Sequence, residues 1–214
     1  MPTPDALLLL TESCPFCPTV LQGLSELVKT GLIGRLEVVN IEAHPEVARE
    51  HGVRSVPWVR LGPFELDGLR SKAELETWAK RAGTNDGLAD YFNELLASGG
   101  LHKVLTHLHR DASALEAVLV LLTRPDTNLH VQLGIGAIME DLRGTPALRG
   151  LVDQLAALTT SDEPRLRGDA AHYLALSQSP RAVDLIRPLL KDADSNVREI
   201  AADSLHELEK HARE

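Results

Sequence analysis

Cysteine is scarce in this sequence, with two residues in 214, Cys14 and Cys17. Both lie in one short segment, so none is left to staple distant parts of the chain together. A disulfide scaffold is therefore excluded, and a reducing, cytoplasmic location is expected. Aromatic residues are few as well, seven in all, which leaves Leu, Ala and Val to build most of the core and suits packed helices better than a β-sandwich. Runs of Lys or Arg are missing and the formal net charge is −9. That balance argues against nucleic acid or an anionic membrane surface as partner, since both are held by clustered cations. No stretch approaches the ~20 apolar residues of a membrane helix. The segment Met1–Asp5 lacks the basic start of a signal peptide, and the apolar run Leu7–Leu10 is too short for its core.

What is present changes character along the chain. Up to about residue 80, strand-like and helix-like patterns alternate. The apolar run Ala6–Leu10 predicts a buried strand. Pro15–Thr30 predicts a helix, with Val20, Leu24, Leu27 and Val28 at helical spacing and Gly31 beyond its end. Leu36–Ile41 reads as strand, and Pro45–His51 as a short helix between an N-terminal proline and Gly52. Val56–Leu61 and Phe64–Leu66 read as two strands around the Gly62-Pro63 turn. Ser71 and Glu74 form a capping box that opens a helix burying Leu75, Trp78 and Ala79. The predicted order is β-α-β-α-β-β-α.

The polar segment Gly83–Gly87 is the predicted boundary, giving an α/β domain over residues 1–84 and an all-α domain over 85–214. Beyond it Leu88, Tyr91, Phe92, Leu95 and Leu96 share one helical face, as do Leu101, Val104, Leu105 and Leu108. An internal repeat follows. Leu151, Val152 and Leu155 correspond to Leu185, Ile186 and Leu189, and Leu166, Ala170, Ala171 and Leu174 to Val197, Ala201, Ala202 and Leu205. A weaker copy runs from about Leu115 to Leu142. Pro146 and Pro180 are placed as first helical residues behind the caps Thr145 and Ser179. Each unit is a helix pair that cannot bury its apolar face alone, so the units must stack. With 9 basic and 11 acidic residues up to Thr84, the helical part keeps 13 and 20, hence −7 of the net −9.

The segment Cys14-Pro15-Phe16-Cys17 falls where the first strand passes into the first helix. Unpaired N–H groups and the positive dipole end of that helix stabilise a thiolate on Cys14, lowering its pKa below the ~8.5 of a free cysteine. Pro15 is tolerated at the first helical position because its missing N–H would be unpaired anyway. Two intervening residues bring the sulfurs within bonding reach. Cys14 is expected to attack a substrate disulfide, and Cys17 to resolve the mixed disulfide. Ser55-Val56-Pro57 opens the third strand. A cis Pro57 would present the backbone of Val56 to a substrate as an added strand; a trans proline would merely start an edge strand or a turn.

Cys14-Pro15-Phe16-Cys17-Pro18, Gly52-Val53-Arg54-Ser55-Val56-Pro57 and Phe64-Glu65-Leu66-Asp67-Gly68 together resemble the thioredoxin superfamily in its short form, closest to glutaredoxins and to the units of archaeal protein disulfide oxidoreductases. The resemblance implies a thioredoxin-like α/β fold, Cys14 as nucleophile, Cys17 as resolving thiol, and Pro57 as a cis proline. Substrate would be bound by Pro15, Phe16, Val56, Pro57 and Trp58, with no cofactor and no metal; Trp58, bulky directly after Pro57, reads first as a core residue and second as one that shapes the substrate groove. Leu8 stands where thioredoxins bury an acid, and Asp67–Ser71 matches the glutathione-gripping turn of glutaredoxins only in part. The segment Asp192–Arg198 and the Ala-rich helix after it resemble HEAT repeats, which implies a surface for a protein partner.

Three readings follow. The first is a thiol–disulfide oxidoreductase with a protein disulfide client and a dithiol electron donor, its helical domain docking the client. The second is a HEAT-like adaptor whose cysteine pair only senses oxidation, without turnover. The third is metal handling through the CxxC. His102, His107 and His109 do not add ligands, since His102 and His109 lie about 10 Å apart along a helix and His107 points elsewhere. Gly134-Ile135-Gly136 reads as close helix packing rather than a phosphate loop.

Overall fold

The structure is a computed structural model that describes residues 3–125 and 127–211. It divides into two compact units, residues 1–91 and 92–214.

Four short strands build the first unit: β1 (Ala6–Leu10), β2 (Leu36–Asn40), β3 (Trp58–Leu61) and β4 (Phe64–Asp67). Their order in the sheet is β2-β1-β3-β4. β1 runs parallel to β2 and antiparallel to β3, and β3 pairs with β4 as a hairpin. Gly62 turns that hairpin at φ +55°, a conformation that a side chain would resist. The all-apolar β1 is explained by its central position, because both of its faces are covered.

Alternation along the strands sorts the core into two layers. Leu8 pairs with Val59, and Val59 with Leu66. These residues share a buried face with Leu24 and Leu27 of α1 (Cys17–Lys29) and Leu75 and Trp78 of α3 (Lys72–Arg81). Phe64 meets Trp78 with ring centroids 4.8 Å apart. Leu7, Leu9 and Trp58 form the opposite layer, against Val39, Ile41, Val53, Val56 and Val47 of α2 (Pro45–Glu50). Ser71 caps α3 by accepting from the Glu74 N–H, while the Glu74 carboxylate accepts from the Ser71 N–H at 2.8 Å.

Several boundaries differ from the sequence-based expectations. α1 starts at Cys17 rather than Pro15, because Pro15 and Phe16 form a turn; Pro18 takes the tolerated second position instead. β3 starts at Trp58 rather than Val56. The helix α4 (Asn85–Ala97) begins inside the polar Gly83–Gly87 segment. Its first half belongs to the first unit, where Tyr91 stands 5.3 Å from Phe64 between ring centroids.

The second unit continues from Phe92 through α5 (Leu101–Arg110), α6 (Leu115–Leu122), α7 (Leu129–Asp141), α8 (Pro146–Gly150), α9 (Val152–Leu158), α10 (Pro164–Leu176), α11 (Ala182–Ile186) and α12 (Ser195–His211). α10 is its centre, packing against α7, α9, α11 and α12. The small residues Gly168, Ala170, Ala171 and Ala175 are buried along it and let its neighbours approach closely. Successive repeats are tied by Arg167, whose Nε and Nη2 donate to the two Asp192 oxygens at 2.7 and 2.8 Å. Pro146 opens α8 behind Thr145 as expected from its cap, whereas Pro180 lies two residues before α11. Gly134 is buried in α7, where a Cβ would meet Leu96 at 2.7 Å; close packing is the reason for that glycine.

Candidate functional site

The cysteine pair sits where β1 delivers the chain to α1. Thr11–Ser13 form the connecting turn, held by the Cys14 N–H to the Thr11 carbonyl and by the Glu12 N–H, which donates to the Glu42 carboxylate at 3.3 Å. Cys14 and Cys17 are joined as a disulfide with Cα atoms 5.6 Å apart. Their surroundings differ. Cys17, the first helical residue, is 3% exposed, whereas Cys14 is half-buried and Phe16 beside it is 52% exposed.

Electrostatics at this end of α1 come from the backbone. Phe16 is the N-cap residue and supplies no side-chain acceptor, and the first turn holds no acidic residue. The first-turn N–H groups and the positive dipole end therefore face the segment carrying Cys14 without a neutralising partner. Leu8 of β1 is fully buried and carries no ionisable group.

β3 brings the second component. Leu9 pairs with Trp58 across the sheet, so the preceding residues Val56 and Pro57 lie at the end of β1 that leads to Cys14. The Val56–Pro57 peptide is cis. Pro57 is buried and Val56 half-buried. The Pro57 carbonyl accepts from the Gly68 N–H at 2.9 Å, which fixes the β4–α3 turn beside the proline.

Of the two roles open to Trp58, core residue and shaper of the substrate groove, its burial supports the first. It is 2% exposed, packs with Leu7 and Leu9, and stacks on His51 with ring centroids 5.3 Å apart. The cause is strand alternation: a residue opposite Leu9 shares that residue's buried face. Trp58 supports the cis-proline segment from beneath.

The turn Gly68–Ser71, which the sequence matches only in part to a glutathione-gripping turn, lies directly after β4 and is tied to Pro57 through Gly68. Leu69 in this turn is 51% exposed. Among the described residues no group of three or more His, Cys, Asp or Glu side chains is placed to hold a metal ion. His109 instead pairs with Asp141 at 2.9 Å, and His107 meets the Phe92 ring edge-on. A cavity of about 110 Å³ in the second unit is lined by Leu122, Gln132, Ile135, Arg165, Asp169 and Tyr173. Its charges answer one another, with Arg165 donating to Asp169 at 3.1 Å and to the Leu122 carbonyl. No helix among the described residues is long and apolar enough to cross a membrane.

Residues 6–80 match the thioredoxin domain family, and residues 151–213 match HEAT repeats. No curated protein matches the chain. A paired Cys14–Cys17 in a domain of this family supports a redox function. Residues 6–80 are thus a thioredoxin domain, carried in one chain with HEAT repeats over residues 151–213.

Proposed function

We propose that the protein is a dithiol–disulfide oxidoreductase acting on a protein client. In the reduced form, the Cys14 thiolate attacks one sulfur of the client disulfide. A Cys14–client mixed disulfide forms, and the other client sulfur leaves as a thiolate that takes a proton. Cys17, deprotonated in turn, attacks the Cys14 sulfur. The client's second thiolate departs, and the Cys14–Cys17 disulfide keeps the two electrons' worth of oxidation. An external dithiol then reverses the exchange on the protein.

The single observation that carries this reading is the asymmetry of the pair. Cys14 is half-buried, and Cys17 is 3% exposed directly behind it. An accessible sulfur attacks intermolecularly, and a shielded one reacts only with what is already bound to its neighbour. The HEAT-repeat unit, with its acidic charge, is assigned the docking of a protein partner. Leu129 and Leu133, one turn apart on α7 and 65% and 64% exposed, support that assignment.

Turnover tests the proposal. Purified protein supplied with a small dithiol should reduce a disulfide-linked protein substrate faster than the dithiol alone, and Cys14→Ser should abolish the difference. An acceleration that survives Cys14→Ser, or none in the intact protein, would refute the assignment.

A further inference from the structure

On α10, Arg165, Asp169 and Tyr173 follow one another at intervals of four residues and so share one face of the helix. That face lines the cavity of about 110 Å³ in the second unit. Leu122 of α6 and Ile135 of α7 give the cavity an apolar wall, and Gln132 of α7 completes the lining.

Three polar groups in this lining are not fully used by the fold. Tyr173 is 5% exposed, and its hydroxyl has no hydrogen-bond partner among the described residues. A buried phenol ordinarily finds one. Asp169 accepts from Arg165 through one carboxylate oxygen and keeps the other free. Burial, only partly offset by Arg165, pushes its carboxyl up, so the charge is under-compensated. Gln132 donates through Nε2 to the Thr127 carbonyl at 3.1 Å and leaves Oε1 without a donor among the described residues. All three groups can accept a hydrogen bond.

The surrounding charge favours a cation. Arg165 is answered twice, by Asp169 at 3.1 Å and by Glu163 at 3.5 Å, and Glu140 adds a further negative charge near Tyr173. An anion would be repelled by Asp169, and a neutral apolar ligand would leave the acceptors buried without donors. An ammonium carries three donors, one for each acceptor. The volume is somewhat below the roughly 150 Å³ that encloses benzene, which suits a chain of about five heavy atoms. A lysine side chain beyond its Cα has that length and that chemistry. The approach lies on the same helix: Leu129, three residues before Gln132 and hence beside it on the surface of α7, is exposed, as is Leu133 one turn further on.

We propose that this cavity is a socket for a lysine side chain of the polypeptide that docks on the helical unit. The ammonium bonds Asp169, the Tyr173 oxygen and Gln132 Oε1, the methylenes run along Leu122 and Ile135, and flanking apolar side chains seat on Leu129 and Leu133. The inference rests on the docking role proposed above and does not involve sulfur exchange.

The test uses the full chain carrying Cys14→Ser/Cys17→Ser, which exchanges no disulfides. n-Butylammonium, n-butanol and butyrate are titrated first and followed by amide NMR. Butylammonium should shift the amides of Ile135, Asp169 and Tyr173 saturably, and the other two should not. A short peptide with two leucines around one lysine is then compared by fluorescence anisotropy with its Nε-acetyl-lysine twin. The lysine peptide should bind about tenfold tighter than the twin, the effect of charge-assisted hydrogen bonds, and tighter than butylammonium. Asp169→Asn should level the two peptides, and Tyr173→Phe, which keeps the ring, should narrow the gap. Equal binding of both peptides to protein with the socket intact overturns the proposal while leaving docking itself in place; that comparison needs no substitution in the socket. A lysine peptide no tighter than butylammonium overturns it as well and gives the cavity to a free amine. Turnover of a disulfide client by the cysteine-intact protein keeps the claims apart. Lysine selectivity without turnover removes only the redox reading, and turnover without lysine selectivity removes only the socket.

Discussion

The Tyr91 hydroxyl donates to the Glu65 carbonyl and accepts from the Glu65 N–H, both at 3.1 Å. One side chain on α4 thereby satisfies both outward backbone groups of a residue on β4, the edge strand of the sheet. An open edge invites pairing with other chains, and proteins commonly cover it. Here the cover comes from beyond the matched thioredoxin segment, which ends at residue 80.

Tyr91→Phe keeps the ring against Phe64 and Trp78 but removes both hydrogen bonds. The loss should be about 1–2 kcal/mol of stability, as for a buried hydrogen-bonding group left without its partner. Amide hydrogen exchange provides the specific readout: the Glu65 N–H should exchange faster in the variant while amides of β1 keep their protection. Unchanged exchange at Glu65 would show that the edge does not depend on this contact.

Acid should attack the HEAT-repeat unit through Asp192. Hydrogen bonds from Arg167, then the Asp194 N–H, hold its carboxyl down at about 2, against an ordinary value of 3.8. A carboxyl depressed on folding adds stability above its unfolded pKa, and that contribution disappears as pH falls through the folded pKa. The helical unit should therefore lose stability between about pH 4 and pH 2, and Asp192→Asn should flatten this part of the profile while lowering stability at neutral pH. Thermal melts by circular dichroism at a series of pH values measure both effects.

Trp58 is a core residue, and its substitution should report on the fold. Trp58→Ala should cost about 3–5 kcal/mol, as for other buried aromatic residues cut back to alanine. Trp58→Phe should recover most of the stability and leave KM for a disulfide substrate near that of the unmodified protein. A large rise in KM for Trp58→Phe at unchanged stability would restore the residue to the substrate surface.

Reduced protein offered limiting iodoacetamide should be modified at Cys14 first, because only that sulfur is both accessible and placed at the helix end. Peptide mapping by mass spectrometry gives the ratio. Equal labelling at Cys14 and Cys17 would contradict the division of roles between them.

The thioredoxin-like layers were legible because their cause is local. The all-apolar Ala6–Leu10 announces a central strand, Gly62-Pro63 a hairpin, and Ser71 with Glu74 a helix start. The cysteine pair was legible for the same reason, as four consecutive residues at a strand–helix junction. Trp58 stayed open between core and substrate groove because its role depends on which face of the sheet it shares with Leu9, and that register is set by pairing between distant segments. The start of α1 shifted from Pro15 to Cys17 for a smaller reason: two prolines, Pro15 and Pro18, each suit an early helical position, and the turn at Phe16 decides between them. Tyr91 was assigned to an apolar helical face, which is correct for its ring, but no periodicity reveals where a hydroxyl finds partners. The turn Asp67–Ser71 was legible as a motif, but its tie to Pro57 through the Gly68 N–H depends on how two separate segments pack.

The central claim is that Cys14 exchanges disulfides while Cys17 resolves them, and covalent trapping reaches it most directly. Reduced Cys17→Ser protein is mixed with a disulfide-linked protein substrate, quenched in acid and analysed by intact-mass and peptide-mapping mass spectrometry. The account predicts a stable adduct joined through Cys14 that the unmodified protein, able to complete the exchange, does not accumulate. Cys17→Ser protein that forms no adduct, or an adduct that accumulates equally with Cys17 intact, would contradict it.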